Sequence, residues 1–108
     1  MKLRVQKDLK TLKDLIHNYY NDYDIIYAEY VNQETYFMVV EKFFLRNSSR
    51  ASLSILMIEN DIALTTIHAI GSGGGQGMFF KFDWGAKESF ENAIPKILSS
   101  NNISFNTL

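Results

Sequence analysis

The chain contains no cysteine and one proline among its 108 residues. Without cysteine it has no disulfide framework, no thiol nucleophile and no Cys-ligated zinc. It also lacks an excess of either charge, because 11 basic side chains accompany 12 acidic ones and leave a formal net charge of −1. Nucleic-acid-binding surfaces normally show as a basic excess. We therefore predict no nucleic-acid partner.

Long apolar runs are missing as well. The longest purely apolar run covers residues 36–40, far short of the ~20 residues that span a bilayer. The segment from Met1 to Asp8 is charged throughout and has no apolar core, so it does not read as a signal peptide. These features predict a soluble, cytoplasmic protein with no membrane partner.

The residues that are present predict one folded domain. Hydrophobic residues make up 46% of the chain and charged ones 21%, a balance that excludes intrinsic disorder. A chain of this length buries roughly two-thirds of its surface in a single domain. We predict a single α+β domain over residues 1–100, followed by a polar C-terminal tail over residues 101–108 that frays.

The first amphipathic segment follows a short strand at Leu3 and Val5. Asp8 carries the side chain expected of a helix N-cap. The apolar residues that follow recur at helical spacing on one face, and they are Leu9, Leu12, Ile16, Tyr19, Tyr20 and Tyr23. This pattern predicts a helix from about Leu9 to Asn21.

A period of two replaces the helical period from residue 24 to residue 70. Segments 25–31, 36–45, 51–58 and 62–70 are rich in β-forming residues and are separated by short polar turns. Such short connections require antiparallel neighbours. In the third segment Ala51, Leu53, Ile55 and Met57 alternate with Arg50, Ser52 and Ser54, which predicts a sheet with one covered face and one wetter face.

The remaining elements complete the predicted order β-α-β-β-β-β-β-α. Met78 to Phe82 reads as a further strand. A final helix has an apolar stripe at Ala86, Phe90, Ala93, Ile94, Ile97 and Leu98. Pro95 falls on its polar side and predicts a kink there. The fold class is thus an antiparallel β-meander of five to six strands, with an N-terminal and a C-terminal helix packed on one face.

Glycine is concentrated in one place, because five of the six glycines lie between Gly71 and Gly77. The predicted loop consists of Gly71, Ser72, Gly73, Gly74, Gly75, Gln76 and Gly77. Successive glycines can turn their N–H groups onto an anion, but the loop matches neither the Walker nor the dinucleotide-binding pattern. Those motifs also need a helix directly after the loop, whereas a strand is predicted. The other interpretation is a flexible hairpin connection or a close backbone approach.

Few other side chains suggest a site. His68 shares a strand face with Thr66 and Ile70, and we interpret it as a structural residue. Arg46 and Arg50 flank a turn and favour cross-strand ion pairs with the Glu41-Lys42 strand. Alternatively, these arginines bind an anionic ligand together with His68, Lys81 and the glycine loop. His17 and His68 do not have metal-ligand spacing, and no acidic cluster supports them, so neither a metal nor another cofactor is predicted.

The segment from Glu41 to Glu91 carries a distinctive combination of motifs. It contains Glu41-Lys42-Phe43-Phe44-Leu45-Arg46-Asn47, then Arg50-Ala51-Ser52-Leu53, then the glycine loop and Phe79-Phe80-Lys81-Phe82-Asp83-Trp84-Gly85-Ala86. It resembles a family of small bacterial proteins, mostly Gram-positive, catalogued as a domain of unknown function (family 6054). The resemblance implies a single small domain over nearly the whole chain. It implies no activity, cofactor or catalytic residue.

Three functions from different classes remain open. The first is a non-enzymatic interaction domain, homodimeric through aromatic side chains on the second face of the sheet. The second is a small-molecule or anion-binding domain that uses the glycine loop. The third is an enzyme with His68, Glu41 or Asp83 as a general base. No set of nucleophile, base and orienting group is apparent, so the sequence favours a protein that is not an enzyme.

Overall fold

The computed structural model describes residues 1–44, 49–73 and 92–108. The elements in these residues are β1 (Lys2–Val5), α1 (Leu9–Tyr19), a 3₁₀ turn (Asp22–Asp24), β2 (Ile25–Asn32), β3 (Thr35–Phe44), β4 (Ser49–Asp61), β5 (Leu64–Gly73), α2 (Ala93–Ser100) and β6 (Phe105–Thr107). The predicted strand at Met78–Phe82 and the helical positions Ala86 and Phe90 lie outside them. The α+β class with an antiparallel sheet is confirmed.

The six strands form one sheet in the order β2-β3-β4-β5-β1-β6, and every neighbouring pair is antiparallel. The predicted four-stranded meander is therefore β2 to β5. β1 lies beside the last meander strand, where Lys2 is paired with His68 and Val5 with Thr65. β1 therefore lies beside β5, at the opposite end of the meander from β2.

The core lies on one face of the sheet, where both helices pack. The alternation in β4 is confirmed, because Ala51, Leu53, Ile55 and Met57 are buried. Other strands contribute Leu3, Val5, Met38, Val40, Ile67 and Ala69 to the same cluster, and the helices contribute Leu9, Leu12, Ile16, Ile94, Ile97 and Leu98. Strand and helix periods therefore converge on a single apolar layer.

Helix α1 begins where the sequence predicts. The Asp8 carboxylate accepts hydrogen bonds from the backbone N–H of Thr11 (3.0 Å) and from its hydroxyl (2.9 Å). These two hydrogen bonds hold the pKa of Asp8 below its usual value. The helix ends at Tyr19, two residues earlier than predicted. Tyr19 and Tyr23 are 52% and 83% exposed, so placing them on the core face was wrong: the helical period does not continue through the 3₁₀ turn.

Helix α2 begins at Ala93, which changes the role of Pro95. Pro95 lies in the first turn, where backbone N–H groups have no partner within the helix. The first backbone hydrogen bond of the helix joins the N–H of Lys96 to the carbonyl of Asn92, and Pro95 precedes it. A proline is tolerated at this position, so the predicted kink is wrong. Ala93 and Ile94 are buried, as the apolar stripe predicts.

The C-terminal residues do not fray. Phe105–Thr107 forms β6 beside β1, with Phe105 opposite Val5. The N–H of Leu108 donates to the carbonyl of Lys2 at 2.9 Å, and the N–H of Gln6 donates to Ser104 at 3.0 Å. The prediction of a frayed tail is therefore wrong, because backbone pairing with β1 orders a segment whose side chains are mostly polar.

Candidate interaction surfaces

The second face of the sheet, which we name the open face, points away from α1 and α2. The register places Glu29, Phe37, Leu56, His68 and Lys2 in one row across five strands. The adjacent row contains Tyr27, Val39, Ser54 and Ile70. The open face therefore has an apolar centre with charged residues at its two lateral ends.

Large apolar side chains on the open face reach solvent. Ile70 is 64% exposed, Tyr27 47% and Phe43 44%. The Tyr27 and Phe37 rings lie 5.6 Å apart in a tilted contact, and Leu56 is half-buried beside them. Several exposed apolar side chains on one face are typical of surfaces that a partner covers.

The glycine segment begins inside a strand. Gly71, Ser72 and Gly73 form the end of β5, opposite Leu53, Ser52 and Ala51 of β4. Placing the start of the loop at Gly71 was therefore wrong, because backbone pairing with β4 continues through both glycines. The rest of the predicted loop (Gly74, Gly75, Gln76, Gly77) and the candidates Arg46 and Lys81 lie outside the described residues.

Arg50 and Ser72 stand near the same end of the open face. Arg50 Nη1 lies 3.1 Å from Glu41 Oε1, so the predicted cross-strand ion pair is confirmed for these two residues. The guanidinium carbon lies 5.5 Å from the centre of the Phe43 ring. The Ser52 and Ser72 hydroxyls are 3.1 Å apart. This end of the face thus presents a guanidinium and two hydroxyls on neighbouring strands.

His68 is not part of that group. It lies on the open face four residues before Ser72, which corresponds to ~13 Å along an extended strand. It is half-buried between Leu56 and Lys2 of the neighbouring strands. Of the other general-base candidates, Glu41 is paired with Arg50 and Asp83 lies outside the described residues. The described candidates do not converge on one reaction centre.

The outer edge of β2 is a second surface, and the predicted site did not include it. Eleven large hydrophobic side chains are exposed in the described residues, and six of them fall within residues 19–31: Tyr19, Tyr23, Ile26, Tyr27, Tyr30 and Val31. Residues 18–41 also contain five acidic side chains and no basic one. This acidic run is the sequence feature that could have indicated the β2 surface. It does not show in the net charge of the whole chain, which is −1.

A shallow groove of about 380 Å³ follows the start of β2. His17, Asp22 and residues 25–29 line it. Beyond its far end, the Tyr30 and Tyr36 rings meet edge to face at 4.9 Å, and Lys13 Nζ lies 5.5 and 5.6 Å from their centres. Burial raises the pKa of the Tyr36 hydroxyl. This aromatic and cationic cluster attaches β2 to α1.

In residues 1–44, 49–73 and 92–108, no group of three or more His, Asp or Glu side chains is arranged to hold a metal ion. No helix within those ranges is long and apolar enough to cross a membrane.

Comparison with known proteins gives one match. The model of the family of unknown function DUF6054 matches residues 4–102. The chain belongs to this family. The DUF6054 match begins within β1 and extends past the end of α2, so it includes all of β2 and the open face apart from Lys2. It carries no assigned activity. No curated protein and no solved structure matches the chain.

Proposed function

We propose that this DUF6054 member is a non-enzymatic interaction domain that forms a homodimer through its open face. The observation that carries the proposal is the one-sided covering of the sheet. Both described helices pack on one face, while Tyr27, Phe43 and Ile70 remain exposed on the other. Covering these side chains with a second copy removes their apolar surface from water, which favours association.

The open face is of the same order of size as the interface of a stable dimer. Its paired rows run along about seven residues and across five strands, roughly 23 by 24 Å at usual strand dimensions. This is a projected area of about 550 Å², and the accessible area of a corrugated surface is larger. Stable interfaces bury about 800 Å² per partner.

The charges of the face support a particular symmetry. β4 is the middle strand of the five, with β2 on one side and β1 on the other. A two-fold axis along β4, lying between the two sheets, places Glu29 over Lys2 of the second copy and Leu56 over Leu56. Facing sheets pack about 10 Å apart, a gap that glutamate and lysine side chains bridge from opposite sides.

The other in-plane axis runs across the strands and is electrostatically unfavourable. It keeps each strand over its own counterpart. The acidic β2 side would then meet itself, and so would the β1 side with its exposed Lys2 and Arg4. Like charges facing each other oppose association. The axis along β4 also explains why the face has its apolar residues in the centre and opposite charges at its two lateral ends.

The test adds a charge to the open face and compares it with the same change elsewhere. Light scattering of the wild-type chain at micromolar concentration should give about twice the 12.5 kDa of one chain. Ile70→Glu should give the monomer mass, because it buries a carboxylate in the interface. Ile62→Glu is the matched control, since Ile62 is 93% exposed in the turn after β4, and it should remain dimeric. A monomeric wild type would refute the proposal, as would dimerisation of Ile70→Glu.

Exchanging the charges of Glu29 and Lys2 tests the two-fold axis along β4. Glu29→Lys and Lys2→Glu should each weaken the dimer, whereas the double variant restores the opposite-charge contacts and should dimerise like the wild type. If Ile70→Glu abolishes dimerisation but the charge exchange does not affect it, the open face is the interface and the two-fold axis does not run along β4.

We also propose a bacterial, cytoplasmic setting. The resemblance of residues 41–91 to small bacterial proteins supports the source, and the cysteine-free composition suits a reducing compartment. Fractionation of cells that express the tagged chain tests the location, since recovery in the membrane or exported fraction would contradict it.

A second candidate function is anion binding at one end of the open face. The guanidinium of Arg50 lies two residues along β4 from Ser52, whose hydroxyl meets that of Ser72. Such a set can hold a phosphate-like group, although the ion pair with Glu41 competes for Arg50. Inorganic phosphate should raise the melting temperature of the wild type but not of Arg50→Ala. The absence of a shift with phosphate, nucleotides or fatty acids would reject this function.

A further inference from the structure

We propose that the outer edge of β2 binds an extended, basic segment of another protein, which pairs with β2 as an additional strand. This surface adjoins the open face and shares Tyr27 and Glu29 with it, but the added strand lies beside the sheet rather than on top of it. The proposal therefore does not depend on the homodimer.

The backbone of β2 is the first argument. β2 is at one end of the sheet order, and no other strand within the described ranges pairs with its outer side. It is eight residues long and contains neither lysine nor proline, the residues that natural proteins use to block edge pairing. Its register shifts flank a regular stretch, Tyr27–Tyr30. That stretch presents outward backbone groups to an added strand.

The opposite edge of the sheet shows what a protected edge looks like in this fold. β6 has three residues, so few backbone groups are available there. Lys2 and Arg4 of the adjacent β1 supply positive charge next to it. β2 is longer, contains no basic residue, and keeps a regular register over Tyr27–Tyr30 between its two irregularities.

Apolar side chains around β2 are the second argument. Ile26 is 57% exposed and Val31 62%, and Tyr23 beside the strand is 83% exposed. A bound strand presents every second side chain to one side, so its apolar residues can cover these groups. The groove along residues 25–29 gives such side chains a place to pack.

Charge determines the kind of partner. Asp22, Asp24, Glu29 and Glu34 lie on or beside β2, and the same stretch has no basic residue. Lys13 of α1 lies 5.5 Å from the Tyr30 ring and pairs with Asp14 at 3.2 Å, and His17 lines the groove. A basic strand is therefore electrostatically complementary to this edge.

A second copy of β2 is a poor occupant of the same edge. Antiparallel pairing of two β2 strands about a two-fold axis brings Asp22 and Asp24 of one copy next to Glu34 of the other. This juxtaposition of like charges opposes pairing. A basic segment of a different protein avoids it.

The experiment uses three synthetic probes and the full chain. The first is a capped, alternating lysine–valine peptide of about nine residues, the second has the same sequence with alternate amides N-methylated, and the third is the glutamate–valine analogue. We expect the lysine–valine peptide to bind and to shift the backbone NMR signals of Tyr27–Tyr30. N-methylation removes the donors that pair with an edge, so it should weaken binding at least about tenfold. The glutamate–valine peptide should bind at least about tenfold more weakly as well.

Two double variants with the same charge change test the electrostatic part. Asp22→Asn with Glu34→Gln, and Ser99→Lys with Ser100→Lys, each change the net charge from −1 to +1. Ser99 and Ser100 are exposed in the last turn of α2, where added lysines suit the helix dipole. The β2 variant should bind the lysine–valine peptide about threefold or more weakly, and the α2 variant like the wild type.

Several results would overturn the proposal. They are no binding of the lysine–valine peptide at millimolar concentration, equal binding of the N-methylated peptide, and NMR shifts that map to the β4 and β5 residues of the open face or to β6. Competition between the peptide and self-association of the chain would assign the edge to a second copy instead. The Ile70→Glu monomer should still bind the peptide, which separates this test from that of the homodimer.

Discussion

The two faces of the sheet are built from the same strands, yet they contribute to the molecule in different ways. On the helix side, Leu53 and Ile55 of β4 are completely buried. One residue further along, Leu56 points to the open face and is only half-buried. The strand itself does not determine this difference. It arises because α1 and α2 cover one face, whereas no helix within the described residues covers the other.

Polar contacts differ between the faces in the same way. On the covered face, the Thr65 hydroxyl is fully buried and donates to the carbonyl of Lys7 at 2.8 Å. On the open face, the Glu41–Arg50 ion pair is exposed to solvent. Breaking a buried hydrogen bond is costly because the remaining donor or acceptor stays unsatisfied. When an exposed ion pair is broken, water hydrates both groups. Stability should therefore come mainly from the helix side of the sheet.

The largest expected effect compares two leucines in β4. Leu53→Ala removes a fully buried side chain and should lower the free energy of unfolding by about 2–5 kcal/mol. Leu56→Ala should cost about 1 kcal/mol or less, because a partly exposed side chain loses less buried area. Denaturant unfolding measures both, at the lowest usable concentration so that association does not contribute. Equal losses would show that the open face is covered within the monomer.

A smaller effect is expected at the start of α1. Asp8→Ala removes the N-cap hydrogen bonds to Thr11 and should destabilise the fold by about 1 kcal/mol at neutral pH. Folding lowers the pKa of Asp8, so its stabilisation is present above the usual value of 3.8 and is lost as the pH falls through the lowered pKa.

The measurement for Asp8 is urea unfolding of wild type and variant between neutral pH and pH 3. The difference between the two free energies should narrow towards the acid end. Thr11→Val retains the carboxylate and the backbone donor but removes the hydroxyl, so it should cost less than Asp8→Ala. A difference that persists unchanged in acid would mean that the carboxylate does not act through its charge.

Local patterns predicted the parts of the fold that depend on periodicity. Alternation placed Ala51 and Leu53 on the buried face, and the carboxylate of Asp8 marked the start of α1. Such features depend on neighbouring residues, which the sequence shows directly. The same reasoning failed at Tyr19, because the position where a helix ends also depends on what the following turn packs against.

Features that depend on distant partners were not visible in the sequence. β6 forms because β1 offers an unpaired edge to a polar segment at the other end of the chain. Gly71 and Gly73 continue β5 because β4 is long enough to pair with them. The β2 edge escaped notice for a related reason: its acidic run becomes informative only when the strand order shows that β2 lies at the margin of the sheet.

The smallest expected effect concerns the exposed pair on the open face. Glu41→Gln and Arg50→Ala should each change the free energy of unfolding by less than about 0.5 kcal/mol, and their coupling in a double-mutant cycle should be about 0.2–0.5 kcal/mol. Side chains that are 36% and 65% exposed keep most of their hydration, and salt screens their attraction. A coupling above about 1 kcal/mol that persists in high salt would show that this end of the face is desolvated. The open face would then contribute to stability as the helix side does.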